Sequence, residues 1–176
     1  MRFQPASLAI DARDSAVSNF KRGMRRLASG ISIIATNCDG VRYGLVATTV
    51  TSVTDAPPTL LVCVNRSASI RPALREGCAF SVNLLSSAQA GLIHRFTDPR
   101  YREERFLETA WQDSPEGPPV LSDAEASLTC KIRKMMDYGS HCIVFGEVTN
   151  VRVGLAAPDP LVWLDGGSHR LSGVLQ

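Results

Sequence analysis

Thr48, Thr49, Thr51, Ser52 and Thr54 crowd one short stretch of an otherwise apolar segment, Gly44 to Ser69. A strand that buries one face rarely carries so many hydroxyls, so these side chains are available to something outside the core. The segment turns at Pro57-Pro58 into an apolar run that ends in Asn65-Arg66-Ser67-Ala68-Ser69, where a strand leaves the sheet and a helix starts. Backbone N–H groups, hydroxyls and a guanidinium gathered there could receive a phosphate. The alternative is simple helix capping by Ser67 or Ser69. Short, rigid hydroxyls beside such a turn suit a flat polar heterocycle that carries a phosphate.

Three further clusters hold polar groups in unusual places. Asn83 interrupts the apolar strand Phe80 to Leu85. An unpaired buried amide costs about 1–3 kcal/mol, so Asn83 either braces backbone or bonds a ligand. Phe96, farther along, is either a core residue or a stacking platform. His141 opens a strand just after Gly139-Ser140, at a sheet rim where sites often form, and is either satisfied by the turn or functional. Gly146 within that strand predicts a bulge or a close backbone approach. The last cluster, Trp163 to Leu171, carries His169. Neither GxGxxG nor GxxxxGK[ST] occurs, so any phosphate must be held outside a Rossmann unit or a P-loop.

The elements that must position these groups are mainly strands. Ile31 to Thr36, Val41 to Val53, Thr59 to Val64, Ala79 to Leu85, Ala126 to Met135, His141 to Val153 and Leu161 to Leu164 read as strands, and Asp39-Gly40 is a hairpin turn. A helix capped by Asp14 or Ser15 should run to about Ser29, stop at Gly30 and bury Val17, Phe20, Met24 and Leu27. Its opposite side carries Lys21, Arg22, Arg25 and Arg26 as a solvated face or an anion site. Ser69 to Arg75 is a short helical connection with Pro72 in its first turn. Ser86 to Gln89 is a capping box opening a helix through about Phe96, and Tyr101 to Leu107 is another helical piece. Ser114 to Pro119 is a turn-rich loop. About seven strands with few helices predict a mainly β small barrel.

A chain of 176 residues, 44% hydrophobic and 20% charged, fits one globular domain spanning 14–171, with a flexible 1–13 segment and a 172–176 tail. Its net charge of +2 argues against a nucleic-acid partner, and no apolar run is long enough for a membrane helix. The five cysteines are odd in number and contain no CxxC pair, so they read as buried thiols in a reducing, cytoplasmic compartment. The three histidines stand far apart, and no metal site is expected.

Taken together, the clusters resemble the short-chain flavin reductases, the reductase components of two-component flavin monooxygenases. They are nearest to those serving 4-hydroxyphenylacetate 3-monooxygenase and pyrimidine degradation. The likeness runs through Phe20-Lys-Arg-Gly-Met24, Gly30 to Thr36, Ser52 to Val62, Phe80-Ser-Val-Asn83 with Gln89, Arg105-Phe106, Gly139-Ser-His141 and Ser168-His169. It implies an FMN-binding split β-barrel with peripheral helices, working as a homodimer. It also implies hydride transfer from NADH or NADPH to FMN or FAD, and supply of reduced flavin to a separate flavin-dependent monooxygenase.

By the same resemblance, Thr48, Thr49 and Ser52 would contact the isoalloxazine or ribityl chain, and Asn65, Ser67 and Ser69 would lie near the phosphate. Asn83 and Phe96 would complete the flavin groove. His141 and His169 would sit by the ring and the nicotinamide, with His141 positioning the nicotinamide or relaying a proton. The sequence departs from the family pattern at Val46, where many relatives carry threonine, and at Ser168, where many carry an aromatic residue. Rival readings on the same barrel are an oxidase that retains FMN and a non-catalytic flavin- or haem-binding module.

Overall fold

The computed structural model describes residues 15–107, 110–112 and 117–172. The 1–13 segment, the end of the tail and part of the 114–119 loop lie outside them. In chain order the elements are α1 (Ala16–Met24), β1 (Ser29–Gly30), β2 (Ser32–Cys38), β3 (Val41–Ala47), β4 (Val50–Asp55) and β5 (Pro58–Asn65). A 3₁₀ turn (Arg71–Ala73) leads to β6 (Ala79–Leu84), a second 3₁₀ turn (Ser87–Gln89) to α2 (Gly91–Thr97), and a third (Pro99–Glu104) to β7 (Trp111–Gln112). Then come β8 (Val120–Leu121), β9 (Ala126–Tyr138), β10 (His141–Val153), β11 (Leu161–Leu164) and β12 (Gly167–Arg170). Among the described residues no helix is long and apolar enough to cross a membrane.

The main sheet has seven strands in the order β3-β2-β6-β9-β10-β5-β4, and every pairing in it is antiparallel. The stretch Val41 to Val53, expected as one strand, is broken at Thr48-Thr49, and its two halves occupy opposite edges of that sheet. In a flat sheet, six strand spacings of about 4.8 Å would put those edges roughly 29 Å apart. Ala47 to Val50 spans at most about 11 Å. The sheet must therefore roll up until its edges meet, while β3 and β4 share no ladder, so the barrel remains split.

Rolling gives the sheet an inside. Ile34, Leu60, Val62, Phe80, Val82, Cys130, Ile132 and Val144, from strands around the barrel, form one buried cluster. Ile31, just before β2, and Ile33 and Ala35 on the outer face of β2 form a second cluster with Leu92 and Phe96 of α2, Trp111 and Leu121. Val46 packs at the margin of this second cluster.

Local signals act where they were expected. Asp39 (φ 53°) and Gly40 (φ 77°) make the β2–β3 hairpin turn. Ser86 and Gln89 close their capping box ahead of α2, and Pro72 lies in the first turn of Arg71–Ala73. Gly146 satisfies both of its readings: the β9–β10 register shifts between Phe145 and Gly146, and its Cα faces the Phe80 ring. A second Asp-Gly turn, Asp165 (φ 49°) and Gly166 (φ 84°), joins β11 to β12, a strand not anticipated from sequence.

Two expectations are corrected. The first helix begins as foreseen, with Ser15 accepting from the Ser18 N–H at 3.2 Å, but it ends at Met24. Its apolar stripe is not buried: Val17 is 62% exposed, Phe20 66%, Met24 49% and Leu27 57%. The 3.6-residue period marks a face that needs covering, and no described part of the chain covers it. The cysteines are likewise mixed: Cys130 and Cys142 are buried, Cys38 and Cys63 half-buried, and Cys78 exposed. Burial pushes the Cys130 thiol up to about 12, which makes it inert.

A β-carbon on Gly146 would lie 2.5 Å from Phe80 Cζ and 2.9 Å from Cys130 Cβ. Phe80 is fully buried and has no free space to swing into. Gly146→Ala should therefore lower stability by about 1–3 kcal/mol, measured as a shift in the urea midpoint. An unchanged midpoint would show that the ring yields.

Candidate functional site

Where the chain passes from one edge of the barrel to the other, it leaves a groove of about 930 Å³. One wall comes from α1 and the segment after it, through Phe20, Lys21, Met24, Arg25, Leu27 and Ala28. The floor is Ser29 and Gly30 of β1, the link Thr48-Thr49, and Val50 and Thr51 of β4. Trp163 and Gly166, from the β11–β12 hairpin, close the far side. Apolar walls, a row of hydroxyls and two cations together suit a planar ring system with polar edges and negative charge.

Arg25 holds the far wall in place. Its Nε lies 3.2 Å from Asp165 Oδ1, its Nη2 donates to Asp165 O at 3.0 Å, and its own carbonyl accepts from the Asp165 N–H at 2.9 Å. A side chain on Gly166 would meet Arg25 Nη2 at 2.7 Å, so the hairpin tip and the end of α1 are fitted to one another. The basic cluster of α1 is thus more than a solvated face. Arg25 serves as a clamp, and Lys21 reaches the groove.

A second group of expected residues assembles at the adjoining rim. The β4–β5 ladder, which starts at Val50 opposite Val62, joins the strand that carries the groove floor to the one that ends in Asn65. His141 pairs directly with Asn65 across β10 and β5. Asn65 Oδ1 accepts from the Ser67 N–H at 2.9 Å and from the Ser67 hydroxyl at 2.8 Å, which shapes the turn before any ligand arrives. The Arg66 N–H donates to Ser140 O at 3.0 Å, and Ser140 Oγ is 2.9 Å from His141 Nδ1. The Asn65 turn and the His141 turn are therefore stitched together, and Ser69 stands exposed beside them.

Other expected residues fall elsewhere. Ser52 is exposed on β4, one residue beyond the groove floor, opposite Leu60. His169 lies on β12, exposed, with Nε2 3.1 Å from Leu164 O, beside the hairpin that supplies Trp163 and Gly166. Ser168, the departure from the family pattern, pairs with Trp163.

Asn83 and Phe96 lie in the interior and do not line this groove. Asn83 is fully buried; its Nδ2 donates to Ile33 O at 3.1 Å and Ser81 Oγ at 3.0 Å. Its Oδ1 accepts from the Leu121 N–H and the Ser127 hydroxyl, both at 2.9 Å. With every lone pair and proton committed, the amide braces β2, β6, β8 and β9 and has nothing left for a ligand. Phe96 is buried against Phe106 and Trp111, with ring centroids at 5.3 and 5.8 Å.

In the sequence Trp163 reads only as the start of the last cluster and Arg25 only as one of four cations on a solvated face or anion site; neither is expected as a wall of the groove. For Trp163 a signal existed: Leu161 and Val162 are apolar neighbours on a short strand, and a large ring beside an Asp-Gly turn is poorly placed for the core. For the clamp of Arg25 on Asp165 there was none, because the two are 140 residues apart.

The family model described as "Flavin reductase like domain" matches residues 24–172. The FMN reductase (NADH) RutF of Enterobacter cloacae is 39% identical over 152 residues, which cover 86% of this chain and 92% of that protein. The protein of the same name from Pseudomonas syringae pv. syringae is 40% identical over 167 residues, 95% of this chain and 92% of that one. Among solved structures, a flavin reductase domain protein from Arthrobacter sp. FB24 superimposes with a TM-score of 0.81 at 29% identity, over 91% of this chain and 98% of that one. BorF, the flavin reductase component of a bacterial two-component tryptophan halogenase, does so with a TM-score of 0.79 at 25% identity, over 89% and 99%.

The bracing role of Asn83 has a direct test. Asn83→Ala orphans several buried groups and should lower stability by at least about 2 kcal/mol. The KM for flavin should stay unchanged at temperatures where the variant is folded. A raised KM with intact stability would return Asn83 to the groove.

Proposed function

The chain belongs to the flavin reductase like domain family, and we propose that it is an NADH-dependent FMN reductase whose reduced flavin serves a separate flavin-dependent monooxygenase. The groove at Thr48-Thr49 carries this reading, because it unites a hydroxyl row, an aromatic wall and two cations next to a preshaped polar turn. The relatives named as NADH-dependent FMN reductases favour that donor and that acceptor over NADPH and FAD. A cytoplasmic location belongs to the same proposal, since the nicotinamide donor is held there.

Flavin supplies an acceptor for hydride given directly by the dihydronicotinamide, so the chain needs no nucleophile of its own. Its residues have to hold two rings at reacting distance, a contribution of up to about 7–11 kcal/mol in well-oriented systems. Trp163, Phe20 and Met24 provide the apolar surface, while Thr48, Thr49 and Thr51 fix the polar edge. Lys21 favours the negative charge that flavin gains on reduction, while Arg25, paired with Asp165, keeps the wall in place. Asn65, Ser67 and Ser69 receive the phosphate end. His141, whose Nδ1 is engaged by Ser140, keeps Nε2 for the nicotinamide amide or a proton, and Ser52 and His169 border the same site.

The decisive experiment is a turnover matrix of NADH and NADPH against FMN, FAD and riboflavin. NADH oxidation should depend on added flavin, be fastest with FMN, and leave little flavin on the protein after gel filtration. Turnover without added flavin would indicate an FMN-retaining oxidase. A chain inert in every cell of the matrix would be a binding module.

The homodimer is part of the same proposal. Support comes from the bare apolar face of α1 and from β4, an edge strand whose Val53 is 46% exposed. Val17 lies on that face but outside the groove. Val17→Glu should convert dimers to monomers in sedimentation velocity. A monomeric wild type would defeat this part of the proposal.

A further inference from the structure

Asp137 stands near the end of β9, opposite Cys142 on β10, one rung inside the His141–Tyr138 pair. Its Oδ1 accepts from Arg71 Nη2 at 3.3 Å, and its Oδ2 lies 3.7 Å from Arg66 Nε. The Cys142 thiol, on the opposing rung, acts on the same carboxylate, and its Sγ lies 3.8 Å from Ile143 O. Together with the guanidinium of Arg71, this contact holds the Asp137 carboxyl below the usual carboxylate range.

One arginine lies inside the polar turn and the other follows it. Arg66 lies between Asn65 and Ser67, and besides its N–H bond to Ser140 it sends Nη1 to Gly139 O at 3.3 Å. Arg71 opens the 3₁₀ turn that follows Ser69, and its Nη1 reaches Leu74 O at 3.4 Å. One carboxylate therefore joins Arg66, within the Asn65–Ser69 segment, to Arg71, two residues beyond it, and Arg66 is bonded to the turn that presents His141. Exposed ion pairs are individually weak. Here three groups converge on one carboxylate, and Arg66 is also tied to backbone, so the segment between the arginines loses most of its freedom.

We propose that Asp137 is a positioning residue for the phosphate end of flavin mononucleotide: it holds Arg66 and Arg71 in place so that the Asn65–Ser69 turn meets a phosphate monoester ready-formed. This rests on the reading of that turn as the phosphate end of the groove. The arginines act as struts, because a carboxylate already occupies them. The ligand's phosphate is left to the hydroxyl and N–H of exposed Ser69 and to the Ser67 hydroxyl, which would exchange its bond to Asn65 for one to the phosphate.

The test compares Asp137→Asn, Asp137→Glu and Asn65→Ala with the full-length protein in steady-state assays, using FMN and riboflavin as alternative acceptors. Asp137→Asn should raise the KM for FMN roughly tenfold, the scale of one charge-assisted hydrogen bond, with kcat within about twofold of wild type. The KM for riboflavin, which lacks the phosphate, should not move. Asp137→Glu should recover part of the loss. If Asp137→Asn does not fold, Arg66→Gln carries the test with the same FMN-specific rise expected. An unchanged or lowered KM for FMN overturns the proposal, as does an equal rise for riboflavin, which marks a general structural role. Asn65→Ala separates the two levels of failure. If it raises the FMN KM while Asp137→Asn does not, only the positioning role falls. If neither does, the phosphate reading falls and takes the proposal with it.

Discussion

Two residues, Thr48 and Thr49, tie the first and last strands of the main sheet together, and the rest of the molecule follows from the shortness of that tie. A strand order that begins at β3 and ends at β4 cannot lie flat when the chain runs from one directly into the other. Rolling the sheet creates the interior filled by Phe80, Val62, Val82 and Val144 and leaves an outer face on β2 for α2 to cover. It also creates a seam. Because β3 and β4 meet without pairing, the backbone and hydroxyls of the tie stay open to whatever lies in the groove.

The seam explains why the site is built from hydroxyls and a turn with no catalytic dyad. Side chains on the tie are short and β-branched, so they hold few rotamers and lose little entropy when a ligand bonds to them. The neighbouring Asn65 turn is shaped by its own internal bonds to Ser67, and the His141 turn is joined to it through Arg66 and Ser140. Rigid acceptors and donors are what a reaction needs when its chemistry belongs to two bound rings and the protein contributes distance and field.

Much of this was legible in the sequence because it depends on local chemistry. Asp39-Gly40 demands positive φ, Ser86 to Gln89 caps its helix reciprocally, and His141 to Val153 is a strand with the limits its residues suggest. The break at Thr48-Thr49 was not legible. It carries neither glycine nor proline, and threonine suits a strand as well as a link, so only the global winding reveals it. The stripe of α1 was read correctly as apolar and wrongly as buried, because periodicity reports that a face needs a cover without naming the cover. Asn83 shows the reverse. Its environment in the sequence left bracing and ligand binding open, the family resemblance pointed toward the ligand, and four hydrogen bonds to protein groups decide for bracing.

Arg25 joins two features otherwise described apart. It terminates the helix whose apolar face awaits a partner, and it grips the hairpin whose tip forms the far wall of the groove. Assembly and ligand capture therefore share one element. By thermodynamic linkage, any factor by which seating α1 against a second chain changed the affinity of the groove would be the factor by which a ligand in the groove changed the association constant. In the proposed homodimer, dilution and flavin concentration would act on a single equilibrium.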